Sequence, residues 1–367
     1  MGDVRPSFVE VDLDAIAHNV RQLVDLVAPV EVCAVVKADA YGHGDAPVAA
    51  AALHAGAGRL AVALVEEGIR LREADIDAPI LVLSEPPVGA IAGMIRWGLT
   101  PTAYSPGFVD ALTAMGVAGR VPVHVKVDTG MHRVGATAEV ALALAKAIDA
   151  SAHLQLEGVW THLAVAEEDS VFTALQIERF EAFLSMLDDA GVPRPMAHVA
   201  NTAGAFGGAL YDMVRTGIGI YGLYPDPPSR GPVDLRPAMR IVSAVSHVQR
   251  LAAGERPSYG RRRSLPADAY VATVPIGYAD GMPRRLSAVG GAVLIRGRRM
   301  PLAGTVTMDQ IVVDAGDEPI EVGDEVVILG SQGEERISAD EWAVALGTIN
   351  YEVVCQIGPR LPRRYLP

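Results

Sequence analysis

A chain of 367 residues, half hydrophobic and a fifth charged, is long enough for two domains or for one large barrel with an addition, and has an ordinary soluble composition. The net charge of -13 leaves no basic surplus to neutralise phosphates, which argues against nucleic-acid binding as the main task. The two cysteines, Cys33 and Cys355, show neither CxxC nor zinc spacing and read as inert core residues. No apolar run reaches membrane-spanning length and the first residues carry no apolar leader, so the protein reads as cytoplasmic with no membrane partner and no metal.

In chain order, Phe8–Leu13 alternates like a strand, and a helix follows from Asp14, the acidic residue read as its cap. A rhythm then sets in. Short apolar runs at Glu31–Val36, Arg59–Ala63, Ile80–Leu83, Leu99–Ala103, Val121–Val127, Leu156–Thr161, Met196–Val199 and Met213–Thr216 read as parallel strands. Alanine-rich segments between them (Ala46–Ala55, Phe108–Met115, Ala138–Asp149, Phe172–Asp189) read as helices. Eight strand-helix units predict an α/β fold, a (β/α)8 TIM barrel; the pattern alone is also compatible with a doubly wound sheet. Four prolines within Tyr224–Pro232 mark a linker. Beyond it, runs at Ile241–Val248, Tyr270–Pro275, Ala292–Ile295, Gln310–Val313 and Glu325–Leu329 predict a smaller, mostly β domain. The expected division is a barrel over residues 1–232 and a β-rich domain over 233–367, with the strand at 8–13 able to pack with the latter.

In a barrel of this type functional residues gather at the C-terminal ends of the strands. Unusual residues stand there: Lys37 after the first run, Lys126 and the stretch Asp128–Gly135 after the fifth, Trp160-Thr161-His162 after the sixth, His198 to Thr202 after the seventh and Arg215-Thr216-Gly217-Ile218 at the eighth. A lysine at the mouth of an apolar strand is poorly placed for stability. Desolvation lowers its pKa and frees the amine for a Schiff base, although a lysine can also snorkel from a strand end. Gly217-Ile218 can present backbone N–H groups to a phosphate, and Thr202 can add a hydroxyl.

The segment AVVKADAYGHG (Ala34–Gly44), with DTGMHRVG, IGYADG and TVTMDQ, closely resembles the alanine racemases, pyridoxal-phosphate enzymes built on a barrel, and the resemblance runs from Val9 to Pro362. It implies pyridoxal 5'-phosphate held by Lys37, Tyr41, His162, Asn201, Thr202, Arg215, Gly217, Ile218 and Tyr351. Arg215 would face the pyridine nitrogen, keep it unprotonated and so weaken delocalisation into the ring, which suits a racemase better than an aminotransferase. His162 would sit behind Arg215 and hold it. Racemisation needs one base on each face of the planar intermediate. The resemblance assigns these to Lys37 and to Tyr259, the latter reaching the opposite subunit's site in a head-to-tail homodimer. Arg133 and the Met308 backbone N–H would meet the substrate carboxylate, and Tyr278, with Asp309 beside Met308, would form a gate sized for alanine. Lys126 matches a lysine that is carbamylated in some members; otherwise an anion such as chloride is expected beside Arg133. The implied role is supply of D-alanine for peptidoglycan.

Two rivals remain in view. A barrel-type decarboxylase would use an acidic partner for the pyridine nitrogen and a catalytic cysteine, against which Arg215 and the cysteine positions speak. A single-barrel cofactor carrier would lack the second domain that holds Tyr259 and Met308. Racemisation of amino acids other than alanine is left open by the sequence.

Overall fold

The computed structural model describes residues 5–226 and 231–367. Part of the expected linker, residues 227–230, lies outside the described residues. The chain forms two compact units. One comprises Asp14–Ala40 and Gly44–Pro237; the other takes the N-terminal segment through Leu13, Tyr41–His43, and Ala238–Pro367.

The order begins β1 (Phe8–Asp12), α1 (Leu13–Val27), β2 (Glu31–Val35), α2 (Lys37–Gly42), α3 (Asp45–His54), β3 (Arg59–Val62), α4 (Val65–Glu73), β4 (Ile80–Val82), α5 (Ile91–Arg96) and β5 (Thr100–Ala103). It continues with α6 (Pro106–Ala114), β6 (Val121–Lys126), α7 (Ala138–Asp149), β7 (Leu154–Trp160), α8 (Ser170–Asp189), β8 (Met196–His198), α9 (Thr202–Phe206) and β9 (Met213–Thr216). Asp14 falls inside the first turn of α1 rather than capping it, a place where the helix dipole also favours an acid. Strands β2–β9 form one parallel eight-stranded sheet in the order β8-β7-β6-β5-β4-β3-β2-β9. β8 and β9 lack a ladder, but Asp212 donates to the Ala197 carbonyl (3.0 Å) and Arg215 to that of Ala200 (2.9 Å), so the barrel is nearly closed. Every residue of β3 and β4 is buried, and apart from the ion-paired Arg59 both strands are apolar throughout. Ser105, Thr137 and Asp169 cap α6, α7 and α8 by accepting from the backbone three residues on.

The second unit holds β10 (Met239–Ala244), β11 (His247–Leu251), β12 (Ala269–Val274), β13 (Ala292–Ile295), β14 (Arg298–Pro301), β15 (Ile311–Gly316), β16 (Glu325–Gln332), β17 (Glu335–Ile337), α10 (Ala339–Leu346), α11 (Asn350–Cys355) and β18 (Arg363–Leu366). Its larger sheet runs β14-β13-β16-β10-β1-β18, with β17 on β16; its smaller sheet is β11-β12-β15. β1 thus lies between β10, antiparallel, and β18, parallel. The single strand expected at Ile241–Val248 is two, because the chain leaves β10 after Ala244 and re-enters a different sheet at His247. Cys33 is buried but Cys355 is exposed, correcting its reading as core: Val353 and Val354 fill the inward positions of α11. Among the described residues, no helix is long and apolar enough to cross a membrane.

Candidate active site

Strand register gathers the expected barrel residues. Lys126 of β6 stands opposite Trp160 of β7, which stands opposite His198 of β8, while Cys33 of β2 pairs with Arg215 of β9. One arc of five strands, β6 through β9 to β2, therefore carries the C-terminal-end cluster.

Lys37 follows β2 directly and opens α2, whose backbone is unusual. Ala38, Asp39, Ala40 and Tyr41 all have φ between 51° and 54°. Left-handed geometry costs L-residues about 1–2 kcal/mol each, so the turn stores about 4–8 kcal/mol that its surroundings must offset. Ala40 N–H donates to the Val36 carbonyl (2.9 Å) and Gly44 N–H to that of Asp39 (2.8 Å). Ala38 N–H donates to Glu67 (2.7 Å), a buried carboxylate that also accepts from Ala63 and Leu64. Glu67 thus ties the residue after Lys37 to the start of α4. In the second unit, Arg363 donates to the Gly42 carbonyl from both Nε (3.0 Å) and a terminal nitrogen (2.9 Å).

Arg215 is buried and its hydrogen-bond acceptors among the described residues are neutral: His198 Nδ1 (2.7 Å), the carbonyls of Thr161 (2.9 Å) and Val199 (3.0 Å), and His162 Nδ1 (3.3 Å). Burial lowers its pKa to about 10, which still leaves it a cation near neutrality. The guanidinium carbon lies 4.5 Å from the Trp160 ring centroid and Lys126 Nζ 4.4 Å from it. Burial lowers the Lys126 pKa to about 7, and Arg215, Arg133 and Lys37 push it the same way; only Asp128 opposes them. Burial and the same four cations hold the His162 pKa well below its usual value, so His162 is neutral. A strongly cationic barrel mouth results, and such a place is built for anions.

Thr202 and the turn after β9 form a second cluster. The Thr202 hydroxyl accepts from Gly217 N–H (3.1 Å) and Gly219 N–H (3.4 Å), so its own hydrogen points to a further acceptor. A Cβ on Gly219 would lie 2.8 Å from Thr202 Cγ2, which makes glycine necessary at this close approach. Asn201 caps α9 by accepting from Gly204 N–H (2.8 Å), and Ile218 begins a buried 3₁₀ turn.

The remaining expected residues lie in the second unit. Tyr41 and Tyr351, distant in sequence, have ring centroids 6.2 Å apart; burial raises the Tyr41 pKa, keeping its phenol protonated. Tyr259, Tyr278 and Met308 are brought together on three hydrogen-bonded loops. Thr305 Oγ1 donates to the Tyr259 carbonyl (2.8 Å), Ser258 Oγ to the Thr305 carbonyl (2.6 Å), Tyr278 N–H to that of Thr307 and Ala279 N–H to that of Met308. Their side chains are 73%, 41% and 53% exposed in the single chain, an unusual share of aromatic and thioether surface. Asp309 accepts from Arg360 (2.8 Å), which also pairs with the buried Asp280.

Several residues of the site were not assigned from sequence. His198 was singled out at its strand end, as His162 was, but given no role; it is the nearer partner of Arg215. Gln176, buried on α8, accepts from Ala164 N–H and donates to Thr129 and the His162 carbonyl, fixing both strand ends. It had no signal, being one of several polar residues along an amphipathic helix.

Residues 11–225 match the alanine racemase N-terminal domain and residues 238–365 the alanine racemase C-terminal domain. The chain belongs to the alanine racemase family. Among its relatives, an alanine racemase of Symbiobacterium thermophilum is 46% identical, over 99% of this chain and 97% of that one. Alanine racemase 2 of Bacillus subtilis is 42% identical, over 99% and 95%. The crystal structure of alanine racemase from Bacillus anthracis with bound L-Ala-P superposes with a TM-score of 0.94 at 38% identity, covering 100% of this chain and 96% of that one. As a member of the alanine racemase family, this chain is an amino-acid racemase, an isomerase.

Proposed function

We propose that the protein interconverts L- and D-alanine using pyridoxal 5'-phosphate, through two bases, and supplies D-alanine for peptidoglycan from the cytoplasm. The observation that carries this reading is the environment of Arg215: a buried cation whose hydrogen-bond acceptors are all neutral, in a mouth that also holds Lys37, Lys126 and Arg133. The donor set fits the cofactor's anionic character: a strand-end lysine for its aldehyde, a threonine hydroxyl beside a glycine turn for its phosphate, and a fixed cation for its ring nitrogen.

Bound pyridoxal phosphate supplies the electron sink that acidifies the alanine Cα–H. The chain's own groups do the rest. Thr202, Gly217 and Ile218, with Tyr41 and Tyr351, hold the phosphate, and Asn201 shapes the turn that presents Thr202. Arg215, positioned by His162, remains a cation at the ring nitrogen, which keeps electron withdrawal weak and favours prompt return of the proton over side reactions. Lys37 Nζ removes or returns the proton on one face of Cα. Tyr259 of the partner subunit does so on the other. Arg133 and the backbone N–H of the partner subunit's Met308 hold the alanine carboxylate. Tyr278, backed by Asp309, narrows the pocket to a methyl side chain. Lys126 carries a carbamate or sits beside an anion such as chloride, either of which offsets its cationic neighbours. The exposure of Tyr259 and Met308 in the single chain supports a homodimer with shared sites.

Circular dichroism of the pyridoxal-phosphate-loaded protein with L-alanine tests this: ellipticity should decay to zero, and from D-alanine as well. A signal that stays constant from both enantiomers refutes the reading, and running L-serine and L-lysine beside it sets the specificity.

A further inference from the structure

Behind Arg215 the barrel interior contains a hydrogen-bonded line of groups with no assigned part in the reaction. Arg215 NH1 meets His198 Nδ1 at 2.7 Å; His198 Nε2 meets His124 Nδ1 at 2.8 Å; His124 Nε2 meets Glu157 Oε2 at 2.9 Å. Both histidines are fully buried. Glu157 is the middle residue of β7, where Arg59, the first residue of β3, donates to it (3.2 Å) and also to Glu31, the first residue of β2 (2.9 Å). The path therefore crosses the barrel, from an ion-paired carboxylate to the buried cation at the mouth.

The local structure is shaped for it. The register between β6 and β7 shifts after Val123, so that Val123 stands opposite Leu156 but His124 opposite Gly158. Glu157 is the extra, bulged residue, and a bulge re-aims a side chain that strict alternation would turn elsewhere. A Cβ on Gly158 would lie 2.4 Å from His124 Nδ1, so only glycine leaves room for the imidazole. The His198 ring stacks on Trp160 with centroids 5.6 Å apart and planes 11° apart, fixing its orientation.

We propose that Glu157 is a positioning residue for Arg215, acting through His124 and His198 as the acceptor that closes the line and lets both rings keep one neutral tautomer. The donor-acceptor sequence permits one solution. A guanidinium only donates, so His198 Nδ1 must be the bare nitrogen and Nε2 must carry the proton. His124 Nδ1 then accepts, His124 Nε2 carries its proton, and that N–H requires an acceptor, which the Glu157 carboxylate provides. Protonating either ring a second time would set two N–H groups against each other. The line thus keeps both histidines neutral and brings the influence of a carboxylate to Arg215 without a carboxylate in contact with it. Direct contact would neutralise the charge that the ring nitrogen is to meet. Burial lowers the pKa of both histidines, and the His124 hydrogen bond holds the Glu157 carboxyl down at about 2, in keeping with neutral rings and an ionised end.

The functional meaning rests on the proposed placement of Arg215 at the cofactor's ring nitrogen, but the tautomers are read without turnover. A protein that failed to racemise alanine would sink that placement and leave this measurement intact. The experiment is solid-state ¹⁵N spectroscopy of histidine-labelled, pyridoxal-phosphate-loaded protein, in the wild type and in Glu157→Gln, Glu157→Leu and Arg59→Met. The expected result is Nε2–H on both His124 and His198 in the wild type. Glu157→Gln should retain it, since an amide oxygen can still accept, and so should Arg59→Met, which removes only the ion pair. Glu157→Leu should lose the single tautomer at His124, whose Nε2–H is left without its acceptor, while the Arg215 donor still holds His198 Nδ1 bare. His198 protonated on Nδ1 in the wild type overturns the proposal, even if the leucine variant does not fold. So does a Glu157→Leu spectrum identical to the wild type, or loss of the tautomers in Arg59→Met.

Discussion

Replacing Lys126 by methionine should make the protein more stable, and the size of the gain follows from the environment of the amine. Lys126 is 3% exposed, and the cations of Arg215, Arg133 and Lys37 add to its desolvation. A fall in pKa from 10.5 to about 7 is equivalent to about 5 kcal/mol at about 1.4 kcal/mol per pH unit. Methionine is similar in volume and loses the contact of the ammonium with Trp160, worth about 1–2 kcal/mol. The expected net gain is about 3 kcal/mol. Its pH dependence has a definite sign. Between about pH 7 and 10.5 the unfolded chain binds a proton at Lys126 that the folded chain does not, so wild-type stability rises with pH across that window. Below about pH 7 the penalty is present in full. Urea unfolding in buffer free of carbon dioxide and chloride should therefore place Lys126→Met above the wild type at pH 6, with the gap closing toward pH 10. Adding bicarbonate or chloride should narrow it by stabilising the wild type. A variant less stable than the wild type at pH 6, or a difference that ignores pH, refutes the reasoning.

Three further substitutions probe the site. Arg215→Glu should let the ring nitrogen be protonated, bring up a long-wavelength absorption band with alanine and slow racemisation; an unchanged spectrum and rate would remove Arg215 from the cofactor. Tyr259→Phe should suppress α-hydrogen exchange from L-alanine more than from D-alanine, and equal losses would count against a base on each face. Gly158→Ala puts a methyl 2.4 Å from His124 and should destabilise the fold by about 1–3 kcal/mol, read as a lower thermal midpoint; a neutral result would mean that the imidazole can move aside.

The eight barrel strands were legible to within a residue or two because parallel strands buried on both faces leave continuous apolar runs. The second unit was harder to read. β14, β17 and β18 are short and carry Arg298, Arg299, Glu335, Arg336, Arg363 and Arg364, so nothing in their hydrophobicity marks them as strands. At the site, Lys37 and Arg215 could be read because residue type and strand-end position coincide. The left-handed turn after Lys37 could not, because Ala38-Asp39-Ala40-Tyr41 contains no glycine to signal a positive φ; the strain is met by distant Glu67. The line from Glu157 to Arg215 was equally hidden. It depends on a one-residue register shift that no periodicity reveals. Tyr259, Tyr278 and Met308 could be connected only through the family resemblance, since their loops meet through backbone hydrogen bonds.

The most direct test of a base on each face of Cα is to follow L-alanine carrying ordinary hydrogen at Cα in deuterated water with the pyridoxal-phosphate-loaded protein. Early in the reaction, D-alanine should appear with deuterium at Cα while the remaining L-alanine keeps its hydrogen, since one group removes the proton and another, equilibrated with solvent, delivers its replacement. D-alanine that carries the substrate's own hydrogen would mean that a single group serves both faces, and would contradict the pairing of Lys37 with Tyr259.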